Sequence, residues 1–153
     1  MNTSIALVLL AVIAPGVTTS TATSVCDLIT RQEAAAALGA AVPAGAEKNL
    51  DAPILGRPTK IRSCFFGSEV SVSRFELGKT AATLFEQYRQ SLKSKSDYEN
   101  VKGVGDDAFL AKGQLAVRKG EVGLIVDVGQ ARGGGAKELQ KEKGLALLAI
   151  GRL

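Results

Sequence analysis

The chain has 153 residues, enough for one domain with a short leader, and 19 Lys and Arg against 15 Asp and Glu give a formal charge of +4. With no histidine and only two cysteines, the chain cannot hold Ser-His-Asp or Cys-His triads, structural zinc or iron–sulfur clusters. Hydrophobic residues at 46% and charged residues at 22% belong to a folded chain and not to a disordered one.

Residues Ile5 to Val17 read IALVLLAVIAPGV, and no charged residue precedes Asp27. This apolar run, broken at Pro15, is shorter than the roughly 20 residues of a bilayer-spanning helix. It fits a secretory signal, although no Lys or Arg stands before it. Ala22 and Ser24 supply small residues for a cut before Val25, and a cut after Ala22 also fits. The expected organisation is a signal peptide over 1–24 and a single domain over 25–153.

An exported chain meets an oxidising compartment, so the even pair Cys26 and Cys64 reads as a disulfide. In the chain-entropy view the loop so closed is worth roughly 4 kcal/mol. The rival reading is lipid attachment at Cys26, for which Val25 is the wrong preceding residue. Free thiols are the third alternative.

The first helix opens on the capping box Thr30-Arg31-Gln32-Glu33, continues through Ala34 to Leu38 and ends at Gly39. Three prolines and two glycines make 40–58 a loop, with room for an edge strand at Ala46 to Asp51. Lys60 to Phe66 and Val70 to Leu77 read as a hairpin around Gly67-Ser68. Its apolar phase changes at Phe75 and Leu77, which suggests a bulge or twist near Arg74. A helix follows over Thr80 to Lys95, with Ala81, Leu84, Phe85, Tyr88 and Leu92 as its apolar stripe. After a polar loop over 96–107, strands are expected at Ala108 to Ala111, Gln114 to Arg118 and Val122 to Val128. Gly133-Gly134-Gly135 ends the sheet, and a helix over Ala136 to Ile150 closes the chain. The order α-β-β-(β)-α-β-β-β-α predicts an α+β domain: an antiparallel sheet of about five or six strands with helices packed on one face. Glu69-Val70 recurs as Glu121-Val122, a faint sign of an internal repeat.

Gly78-Lys79-Thr80 resembles the end of a phosphate-binding loop, but Ser73 stands where its first glycine belongs, so a strand-to-helix turn is the reading. Gly103, Gly105, Asp106 and Asp107 form a candidate binding loop; two adjacent aspartates are too few oxygens for calcium. Glu69, Glu121 and Asp127 are strand carboxylates. Asp127 interrupts an apolar strand and, if covered, needs a partner such as Arg118. Arg118, Lys119, Arg132, Lys137, Lys141 and Lys143 make the last third basic, diluted by Glu121, Asp127, Glu138 and Glu142. Stacking aromatics are few, so nucleic acid is not an expected partner; this surface reads as solvated charge.

The segments Cys26-Asp27-Leu28-Ile29-Thr30, Glu33 to Gly39, Cys64, Val104 to Phe109 and Leu115 to Gly120 together resemble a family of small exported bacterial proteins of unknown function. These are frequent in actinobacteria and often lipoproteins, with an opening CDLLT…EAAAALG, a VGDAAF turn and a VRKG hairpin. The resemblance implies an α+β fold, export and a Cys26–Cys64 bridge, and assigns no catalytic residue. Val25 departs from the lipoprotein pattern. The expectation is an exported, non-enzymatic binding module, periplasmic or extracellular, for an envelope protein, polymer or small ligand. It needs no cofactor or metal and has no membrane span in the mature chain. The alternatives are a small hydrolase or transferase using Asp106, Asp107 or Asp127, and a structural envelope protein.

Overall fold

The structure is a computed structural model that describes residues 24–95, 97–129 and 136–153, with backbone only at 136 and 137. The signal-peptide reading, Ser24 apart, and the triple-glycine stretch lie outside the described residues. Three helices, α1 (Arg31–Leu38), α2 (Ala81–Leu92) and α3 (Ala136–Ile150), accompany seven strands. The strands are β1 (Ala46–Ile54), β2 (Arg57–Phe66), β3 (Val70–Glu76), β4 (Glu99–Val101), β5 (Asp107–Ala111), β6 (Gln114–Lys119) and β7 (Val122–Val128). They form one sheet in the order β1-β2-β3-β7-β6-β5-β4, every neighbouring pair antiparallel. The α+β class stands, and the sheet is wider than expected. β4 is three residues with one buried side chain, too short to print an alternation on the sequence.

The helices do not share one face, contrary to the sequence expectation. α1 and α3 cover the face that carries Cys64, Phe66, Val70, Val72, Leu115, Val117, Leu124, Val126 and Val128. α2 covers the opposite face, over Phe109, Ala111, Ala116 and Ile125. This also accounts for the change of phase at Phe75. Pairing runs without interruption from Phe66↔Val70 to Ile61↔Phe75 and from Val70↔Val128 to Glu76↔Val122, so no bulge exists at Arg74. Val70 and Val72 point at the first face, under the helices, and Phe75 at the second, where it is half-buried beside α2.

The faint repeat has a structural counterpart. β3 and β7 are the adjacent central strands, paired Val70↔Val128, Val72↔Val126 and Glu76↔Val122, a register unchanged by exchanging the two. A two-fold axis through that pair would leave α1 and α2 on the same face, and they lie on opposite ones.

The N-terminal segment is tied down twice. Cys26 and Cys64 form the disulfide, Sγ–Sγ 1.99 Å, joining the 3₁₀ turn Val25–Asp27 to β2. The Ser24 hydroxyl caps that turn, accepting from the Cys26 amide at 3.1 Å, and bonds the Glu47 carboxylate. A cut after Ala22 keeps this cap, and a cut before Val25 removes it. On α1, Thr30 Oγ1 accepts from the Glu33 amide at 3.2 Å, and Glu33 Oε2 accepts from the Thr30 amide at 2.7 Å. Glu33 also receives both Arg152 Nη atoms, each at 2.7 Å, while Nη1 reaches the Leu28 carbonyl at 2.9 Å. This two-pronged bond from Arg152, with the Thr30 amide, holds the Glu33 carboxyl down at about 2. Arg152→Ala is expected to lower unfolding free energy by about 1–2 kcal/mol at neutral pH, both side chains being partly solvated. Urea titration checks it. The native contribution is present above the ordinary carboxylate pKa and fades as pH falls towards 2, so the variant loses its deficit in acid.

Candidate functional site

α2 is shorter than the sheet is wide. Its stripe of Leu84, Phe85 and Leu92 is buried against the β5–β7 half of the second face, where Phe85, Tyr88 and Tyr98 ring Phe109 at centroid distances of 5.2, 5.7 and 5.9 Å. Over β1, β2 and β3 no helix of the described residues covers the same face. Ile54, Ile61 and Phe75 are half-buried there, and between them and α2 runs a groove of about 190 Å³. Leu77, Tyr88 and Ile125 complete its apolar wall, and Gly123 lies in its floor. A Cβ on Gly123 would sit 3.0 Å from Leu77 Cδ1, so glycine keeps the floor low. No charged side chain lines the groove, and burial pushes the Tyr88 phenol up.

Polar residues stand beside Ile54, outside the groove's apolar lining. Ile54 pairs with Arg57 across the β1–β2 hairpin, whose tip is Leu55-Gly56 at φ 50° and 79°. Arg57 Nη1 donates to Thr80 Oγ1 at 3.1 Å, so the hairpin reaches the turn that starts α2. That turn is Gly78-Lys79-Thr80, a 3₁₀ turn that connects β3 to α2. The amides of Leu77 and Gly78 donate to the Glu121 carbonyl at 3.0 and 3.1 Å.

The candidate loop is engaged within the fold. Asp106 Oδ2 accepts from the Gly120 amide at 2.7 Å and Oδ1 from Lys119 Nζ at 3.0 Å, with Arg118 Nη1 at 3.4 Å. The Gly120 amide, with Lys119 and Arg118, holds the Asp106 carboxyl below its ordinary range. Asp107 pairs with Arg89 of α2, whose guanidinium lies 5.8 and 5.5 Å from the Phe85 and Phe109 rings. Gly103 and Gly105 both have positive φ, and a Cβ on Gly105 would fall 2.5 Å from the Arg118 carbonyl. The loop thus fastens the β6–β7 turn and α2 to the sheet edge.

Asp127 is 2% exposed. Its described partner is Gln114, Nε2 to Oδ2 2.9 Å, and not Arg118. Register decides this: Leu115 faces Val126, whereas Arg118 faces Gly123 at the other end of β7. Asp106, Asp107 and Asp127 do not converge, and among the described residues no cluster of three His, Cys, Asp or Glu is placed to hold a metal.

Glu142, expected among solvated charges, is fully buried at 0% exposure. Oε1 accepts from the Val128 amide at 3.3 Å, and Oε2 has no hydrogen-bond partner among the described residues. Burial, with Asp127 and Glu138 nearby, pushes its carboxyl up to about 8. The signal was present in the spacing: Leu139, Glu142, Ala146 and Ala149 lie on one helical stripe. Compared with known protein families, curated proteins and solved structures, the chain has no match.

Proposed function

We propose that the chain is an exported, non-catalytic binding module of the cell envelope and that the groove beside α2 is its ligand site. The observation that carries this reading is an open, wholly apolar trough beside a helix that covers only half its sheet face. At about 190 Å³ it is smaller than a cofactor pocket and suits one alkyl chain or apolar side chain. The disulfide suits an oxidising compartment, and no described helix is long and apolar enough to cross a membrane. The resemblance to small exported proteins expected over most of residues 26–153 agrees with this reading.

The test is a titration of ¹⁵N-labelled protein with decanol, a neutral alkyl probe. Saturable shifts are expected at the amides of Ile61, Phe75, Gly123 and Ile125. Ile61→Glu, which places a charge on a half-buried wall, should weaken binding by about tenfold or more. Absent or scattered shifts would overturn the assignment.

A further inference from the structure

We infer that the occupant of the groove is a single-chain fatty-acid anion, its alkyl chain along the apolar wall and its carboxylate at the Arg57–Thr80 end. This rests on the groove being a binding site, as proposed above. Charge complementarity selects the ligand. Arg57 is exposed, its only described side-chain hydrogen bond is to a neutral hydroxyl, and no ion pair of Arg57 exists among the described residues. The planar fork therefore has donors left for a carboxylate. Lys79 stands exposed on the adjacent turn. Thr80 makes no side-chain hydrogen bond capping α2, and although the Ala81 amide is taken by the Gly78 carbonyl, the positive end of the helix dipole favours an anion at the same place. Of the acidic residues near this end, Glu76 is paired with Arg74, which leaves Glu121, whose carbonyl accepts from the Leu77 and Gly78 amides. Two cations and a helix N-terminus outweigh it.

Other occupants fit less well. The volume holds one chain, not the paired chains of a diacyl lipid. A second copy of this protein would bring two cationic ends together across the interface. A neutral alkyl group would leave the Arg57 end without a counter-charge.

The experiment compares decanoate with decanol, both below their aggregation concentrations, by amide shifts on the folded protein. Decanoate is expected to bind about tenfold tighter than decanol at low salt, with that excess reduced by added salt. Arg57→Ala should remove the excess, so that decanoate and decanol bind alike. Arg57→Glu should reverse the preference in favour of decylammonium. Position 57 is exposed, and thermal melts of the variants verify that they fold. Equal binding of decanoate and decanol, with neither Arg57 variant changing the ratio, would overturn the anion inference and leave the groove assignment standing. No groove shift with either probe would overturn both.

Discussion

Glu142→Gln is expected to stabilise the protein in mild base and to lose that advantage in mild acid. The carboxyl is enclosed between α3 and the end of β7, with one amide donor and an oxygen that has no partner among the described residues. Its pKa of about 8 in the folded state lies above the ordinary 4.5. The folded state therefore binds more protons than the unfolded chain between those values, and stability falls as pH rises through that window. Below about pH 4.5 both states hold the proton, and the group contributes no slope. The whole shift sets a ceiling near about 5 kcal/mol, and relaxation around the helix leaves about 2–4 kcal/mol to be regained by a side chain that cannot ionise. At low pH the glutamine gains nothing and has its own unpaired amide hydrogens, so the variant should equal or fall about 1 kcal/mol below the native protein. Urea unfolding at about pH 5 and about pH 9 measures both limbs. A difference that does not vary with pH would mean that Glu142 is solvated and that only packing or helix propensity has changed. Glu33 acts on the acid side, its stabilisation fading as pH falls towards 2. Together the two carboxyls place the most stable pH of the native protein near the ordinary carboxylate pKa, below neutrality.

Local signals were easily read in this chain, and the signals that failed were those that depend on what lies over a face. The capping box at Thr30, the cap at Gly39 and the alternating valines of β7 are short-range, and each is found where the residues placed it. The bridge of Cys26 to Cys64 was legible from the cysteine count together with the expectation of export. The phase change at Phe75 suggests a distortion of the strand only while a single covered face is expected. It marks instead an apolar position on the second face, beside α2, and the expectation of one covered face also hid the groove. Ile54, Ile61 and Phe75 come from three strands, and α2 makes them a wall only because it lies on their side of the sheet. Asp106 and Asp107 stand out in sequence as a charged pair beside two glycines. In three dimensions their partners, Gly120 and Arg89, lie on other elements and only the register of the sheet brings them close. Glu142 was hidden for the opposite reason. Its neighbours in sequence are lysines, and only the helical period places it among alanines and leucines.

Removal of the disulfide in the double variant Cys26→Ala, Cys64→Ala is expected to cost about 3–4 kcal/mol, the loop entropy of a crosslink spanning 38 residues. The bridge is placed so that its loss is also felt locally. Cys64 is fully buried beside Phe66 and Val72, and the segment it secures carries Val25, Leu28 and Ile29, all buried in the same core. Gly45 packs directly on the sulfurs: a Cβ there would lie 2.6 Å from Cys64 Sγ and 3.2 Å from Cys26 Sγ. The bridge thus also sets the path of the chain into β1. The second tie, Arg152 to Glu33 and the Leu28 carbonyl, remains in the double variant and should keep α1 docked, so the fold survives with a lower urea midpoint. Adding Arg152→Ala removes both ties. The combined loss should then exceed the sum of the separate losses, because α1 and the turn before it leave the sheet together and expose the apolar surface they covered. Hydrogen exchange at residues 25–38 distinguishes the outcomes. Protection should fall partly in the cysteine variant and almost wholly in the combined one, while β6 and β7 stay protected. An unchanged midpoint without the cysteines would show that packing alone holds the segment, and strict additivity would show that the two ties act on separate units.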